Sequence, residues 1–130
     1  MFLPGFVLYS VLWCAAWFGM QSRAGEWIGS LLGSVGFVAV ACWRFQNWKP
    51  FLALALAFFA LHSIGYFAGS ISMYRLIRLA RNPGDTGLTG AQWAAVAKLS
   101  WGLFYGLGFG AALGLLFHQL RSPSSHAQDR

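Results

Sequence analysis

The stretch Trp101–Phe117, WGLFYGLGFGAALGLLF, decides how the rest of the chain reads. Gly102, Gly106, Gly110 and Gly114 recur at four-residue intervals, with Gly108 between them. On an α-helix, residues four apart share a face. In water each such glycine weakens a helix by about 0.5–1 kcal/mol relative to Ala. In a bilayer the same residues leave a smooth groove into which a second helix packs closely. The stretch contains no Asp, Glu, Lys or Arg, so it reads as a membrane span carrying a glycine zipper.

Composition extends that reading outward. The chain has 130 residues, of which 58% are hydrophobic and 9% charged, whereas soluble domains carry about 25% charge. A spanning helix needs roughly 20 apolar residues. Residues 2–21, 27–43, 50–74 and 99–120 meet or approach that length without a charged side chain. The predicted fold is therefore all-α: a polytopic membrane protein, with a four-transmembrane-helix bundle of two antiparallel hairpins over residues 1–120. A polar tail, RSPSSHAQDR at 121–130, has the composition of a disordered segment. The first apolar run is long, and no basic residue precedes Arg23. It reads as a retained span rather than a signal peptide.

The net charge of +6 would suggest nucleic acid in a soluble protein. Here the basic residues flank the spans, where they meet lipid headgroups and orient the chain; nucleic acid is not an expected partner. One predicted side carries Arg23, Arg75, Arg78, Arg81 and Lys98, and the other Arg44, Lys49, Arg121 and Arg130. The compact Arg75–Arg81 cluster tips that five-to-four balance toward both termini outside. The expected location is the cell membrane, as a multi-pass protein. Trp27, Trp43, Trp48, Trp93 and Trp101 fall near span ends, where amphipathic rings prefer to sit.

In chain order, Pro4 suits the first turn of helix 1, on which Tyr9, Trp13 and Trp17 form a bulky ridge. Residues 21–25 are expected to turn the chain. Helix 2 is expected from Glu26, with Gly25, Gly29 and Gly33 as a groove. A turn near Arg23 would set Gly29 against Trp17 or Phe18, and Gly33 against Trp13, ridge into groove. Helix 3 starts near Pro50 and continues past Tyr74 as a basic interfacial extension, 75–81. Asn82–Gly87 should turn the chain, and Thr89 with Gln92 forms a capping box opening helix 4, whose 90–98 segment is also interfacial. Counting back from that turn sets Gly69 level with Gly102, Gly65 with Gly106, and His62 with Phe109. Two small-residue faces would then meet.

His62 is the most suggestive polar residue, because it lies mid-span on a face shared with Gly65, Tyr66, Gly69 and Met73. An imidazole at that depth is expected to be paired or functional. The candidate intramembrane polar site is His62, Tyr66 and Tyr105. A haem ligated by His62 is one chemistry an imidazole offers; His118 falls some 13 Å away along the membrane normal at ~1.5 Å per residue, so a single-His pocket rather than a bis-His site is the form it would take. The plainer role is a packed, hydrogen-bonded histidine. No metal site is expected: Cys14 and Cys42 lie at different depths and form no CxxC or Cys/His cluster. Glu26, Asp85 and Asp129 all lie outside the span interiors, which argues against a proton-coupled pump and against paired-acid hydrolysis. No nucleophile motif or phosphate loop is present.

The expected function is non-catalytic. The chain reads as a small subunit or accessory protein that packs against another membrane protein, or itself as an oligomer. The helix-packing residues are Gly25, Gly29, Gly33, Gly65, Gly69, Gly102, Gly106, Gly110 and Gly114. Arg75, Arg78, Arg81 and Lys98 would meet a lipid headgroup or an acidic partner. The alternative is a small channel or transporter with a path near His62, and a third reading is a haem- or quinone-binding redox subunit.

Overall fold

The structure, a computed structural model, describes residues 3–81 and 87–121. Four α-helices follow one another: α1 (Leu3–Met20), α2 (Arg23–Phe45), α3 (Phe51–Arg81) and α4 (Gly90–Arg121). Each is long and apolar enough to cross a membrane, and no strand occurs among the described residues. The turn expected at 82–86 and the tail at 122–130 lie outside the described residues. The chain divides into two compact units, Met1–Phe59 with Ala112–Arg130, and Ala60–Ala111.

The first unit contains the α1–α2 hairpin. The turn between these helices is shorter than the expected 21–25 segment, because α2 already begins at Arg23. Two local interactions make this possible. Gln21 takes a left-handed conformation (φ 43°), and its N–H donates to Trp17 O at 2.8 Å, closing α1. Ser22 then caps α2, its Oγ accepting from Gly25 N–H at 3.3 Å. The ridge of α1 does enter the groove of α2, but one helical turn away from the expected register. Gly29 lies against Trp13 and Gly33 against Tyr9. Gly25 meets Ala16 and Met20 instead of lying in the turn. Taking Arg23, Ala24 and Gly25 into the helix moved every pairing toward the N-terminus of α1.

This cap carries a measurable consequence. Ser22→Ala removes the acceptor and is expected to lower stability by about 1 kcal/mol, read as an earlier unfolding midpoint in detergent.

Phe37 is the centre of this unit and is fully buried. Its ring meets Phe6 edge-on at 5.0 Å and stacks on Phe58 at 5.2 Å. A Cβ at Gly5 would lie 3.1 Å from the same ring, so Gly5 is small because Phe37 occupies its side-chain space. Tyr9, Val38, Ala41, Cys42, Leu54, Ala55, Ala112, Leu116 and Leu120 are buried in the same unit. α2 ends at Gln46, left-handed at φ 53°, with Asn47 N–H donating to Cys42 O at 3.0 Å. Cys42 is buried and Cys14 exposed, both as free thiols.

The second unit is the hairpin of α3 from Ala60 and α4 to Ala111. The capping box forms at the entry to α4. Thr89 N–H donates to Gln92 Oε1 at 2.8 Å, and Gln92 N–H donates to Thr89 Oγ1 at 3.3 Å. The expected meeting of Gly65 with Gly106 and Gly69 with Gly102 does not occur. A Cβ at Gly102 or Gly106 would meet nothing within 4 Å. The levels along the helices are close to those expected, but α4 is rotated: it presents Gly108 and its aromatic ridge to α3. Residues 106 and 108 are about 200° apart around a helix, so presenting one turns the other away.

Candidate functional site

The site grows from two matching helical patterns. On α3, His62, Gly65, Tyr66 and Gly69 follow i, i+3, i+4, i+7 spacing, which gathers them on one face. On α4, Trp101, Tyr105, Gly108 and Phe109 do the same at i, i+4, i+7, i+8. The two faces pack together at backbone distance. A Cβ at Gly65 would lie 2.6 Å from Phe104 O, and one at Gly108 would lie 2.6 Å from Leu61 O. A Cβ at Gly69 would lie 2.9 Å from Trp101 O.

That close approach brings the rings together. His62 is 0% exposed. Its ring centroid lies 5.4 Å from Tyr105 and 5.8 Å from Phe109, edge to face in both cases, and 6.3 Å from Tyr66. Trp101 stacks on Tyr105 at 5.2 Å, and Tyr105 on Phe109 at 5.8 Å. Tyr66 meets Trp101 edge-on at 6.1 Å. Edge-to-face pairs at these separations contribute about 0.5–1.5 kcal/mol beyond burial. The structure therefore brings His62, Tyr66 and Tyr105 together and adds Trp101 and Phe109. The signal for those two was the four-residue aromatic spacing on α4, the same pattern that marks the ridge of α1.

Above this layer Ser72 and Ser100 share a hydrogen bond across the two helices. Such bonds between membrane helices average ~0.6 kcal/mol, less than the ring contacts supply together. Ser63 is buried beside His62 in sequence, and its Oγ has no hydrogen-bond partner among the described residues. No group of three or more His, Cys, Asp or Glu side chains able to hold a metal ion occurs among the described residues.

Packing predicts what His62 contributes. His62→Ala leaves a ring-sized void against three aromatic rings and is expected to lower stability by roughly 2–3 kcal/mol. Thermal unfolding of the purified chain in detergent measures this directly.

The nine glycines singled out by spacing divide into two groups. Gly25, Gly29, Gly33, Gly65 and Gly69 are buried against neighbours closer than a Cβ would allow without displacement. Gly102, Gly106 and Gly110 are exposed, with nothing within 4 Å of where a Cβ would stand, and Gly114 is equally open in its own unit. Leu103 and Leu107 flank this face at 62% and 63% exposure. Arg75, Arg78, Arg81 and Lys98 are all exposed.

Comparison with known protein families, curated proteins and solved structures finds no match. The functional reading therefore stands on the chain's own residues.

Proposed function

We propose that this multi-pass protein is a non-catalytic subunit or accessory protein of the cell membrane. It would pack against another membrane protein, or a second copy of itself, through the glycine face of α4. The observation that carries this reading is the openness of Gly102, Gly106 and Gly110. Their spacing is that of a close helix contact, yet α3 is packed on a different face of α4, through Gly108. Glycine in a helix is destabilising by roughly 0.5–1 kcal/mol per residue unless packing compensates. Three of them on an exposed face with no neighbour among the described residues are compensated when another helix fills the groove. Membrane helices associate through such small-residue faces because close backbone approach maximises van der Waals contact where no hydrophobic drive exists.

Native mass spectrometry after gentle detergent extraction tests this. The expected spectrum contains a discrete complex, either a multiple of the chain mass or the chain with a second membrane protein. A chain that is monomeric and alone when extracted from its native membrane, at every detergent concentration down to the micellar limit, would contradict the reading.

A further inference from the structure

We propose that the α3–α4 hairpin holds one anionic phospholipid, with an acyl chain in a groove beside Phe104 and the phosphate on Arg75 and Arg78. The groove has a volume of about 500 Å³ and is lined by Ala68, Ile71, Ser72, Arg75, Leu76 and Phe104. Ala68, Ile71, Ser72 and Arg75 follow i, i+3, i+4, i+7 spacing, so one face of α3 forms its wall. Its lining runs from apolar to cationic along that face. Seven residues of helix separate Ala68 from Arg75, or about 10 Å of rise. That polarity gradient is the one a phospholipid presents, chain first and phosphate last. Arg78 continues the face three residues on.

Charge complementarity selects the headgroup. Over residues 60–111 the sequence carries Arg75, Arg78, Arg81 and Lys98 against a single acid, Asp85, a net charge of +3. One carboxylate cannot neutralise four cations, and a lipid phosphate with net negative charge complements the excess. Basic pockets between membrane helices bind anionic headgroups in this way. An acidic soluble peptide fits less well, because Ala68, Ile71 and Phe104 place most of the groove within an apolar span. This inference is independent of the glycine face of α4.

The test reconstitutes the full chain in vesicles of phosphatidylcholine with one-fifth phosphatidylglycerol, re-extracts it mildly, and quantifies retained lipid by mass spectrometry. The wild type is expected to retain phosphatidylglycerol well above its bulk share. Arg75→Gln should reduce that enrichment about fivefold, the factor expected for one basic residue near the surface. Ala68→Phe should reduce it with every charge kept, because it fills the groove. Arg44→Gln, on α2, should leave it unchanged. Enrichment that survives both Arg75→Gln and Ala68→Phe would overturn the proposal. So would an equal loss in Arg44→Gln, which would make the effect one of net charge.

Discussion

Gly108→Leu is expected to separate α3 from α4 and to prevent the second hairpin from forming its packed state. The atoms that would meet a Cβ at Gly108 are Leu61 O at 2.6 Å and the Gly65 backbone at 2.8–3.0 Å. These are backbone atoms and have no rotamer by which to move aside. Even Gly108→Ala must push the helices apart, an overpacking penalty of about 1–3 kcal/mol. A leucine adds three further carbons to the same contact, and displacement of α4 would also break the edge-to-face contacts of His62 with Tyr105 and Phe109. The loss should exceed ~3 kcal/mol, more than His62→Ala alone. Thermal unfolding and protease resistance in detergent provide the measurement. Gly65→Leu should behave alike, since its Cβ would lie 2.6 Å from Phe104 O.

Gly106→Leu should have the opposite profile. Apart from its own helix, nothing among the described residues lies within 4 Å of a Cβ at this position, so the hairpin keeps its packing, and replacing glycine by a better helix former slightly strengthens α4. What it fills is the groove on the exposed face. Overpacking a tight helix contact by about 1–3 kcal/mol corresponds to roughly a fivefold to 150-fold loss of association. The chain should remain folded, with an unfolding temperature at or above that of the wild type, while its complex dissociates. Gly106 and Gly108 are only two positions apart, so the opposite behaviour of their variants reports which face of α4 serves the hairpin and which serves association.

The sequence made the four spans legible because length and charge exclusion are local properties that a bilayer imposes directly. The capping box at Thr89 and Gln92 was legible for a similar reason: it is complete within four residues. The first hairpin's ridge and groove were also readable, since the aromatic ridge of α1 faces Gly29 and Gly33 whichever turn aligns them. Their register was not, because it depends on Gln21 adopting a left-handed conformation, which no pattern in Gln21-Ser22 announces. The rotation of α4 was the least readable feature. A soluble helix reveals its inward face by polarity, but between Trp101 and Phe117 α4 has no charged side chain to mark an outer face, and lipid is as apolar as a protein core. Glycine spacing pointed to one close-packing face. Within the hairpin that role falls to Gly108 together with the aromatic ridge Trp101, Tyr105 and Phe109. A ridge of rings fills the groove of Gly65 and Gly69, whereas glycine laid only on glycine would bury little side chain.

Photocrosslinking from position 103 in native membranes tests the proposed role of the α4 glycine face most directly. Leu103 flanks Gly102 and Gly106 and is exposed, so a photoactivatable side chain there probes the face without filling it. A discrete protein adduct is expected at 103, identified by mass as this chain or a second membrane protein. It should vanish on Gly106→Leu, and it should be absent when the probe replaces Leu52, which is 69% exposed on α3. Adducts to lipid alone at position 103, or a protein adduct indifferent to Gly106→Leu, would contradict the assignment of this face to helix association.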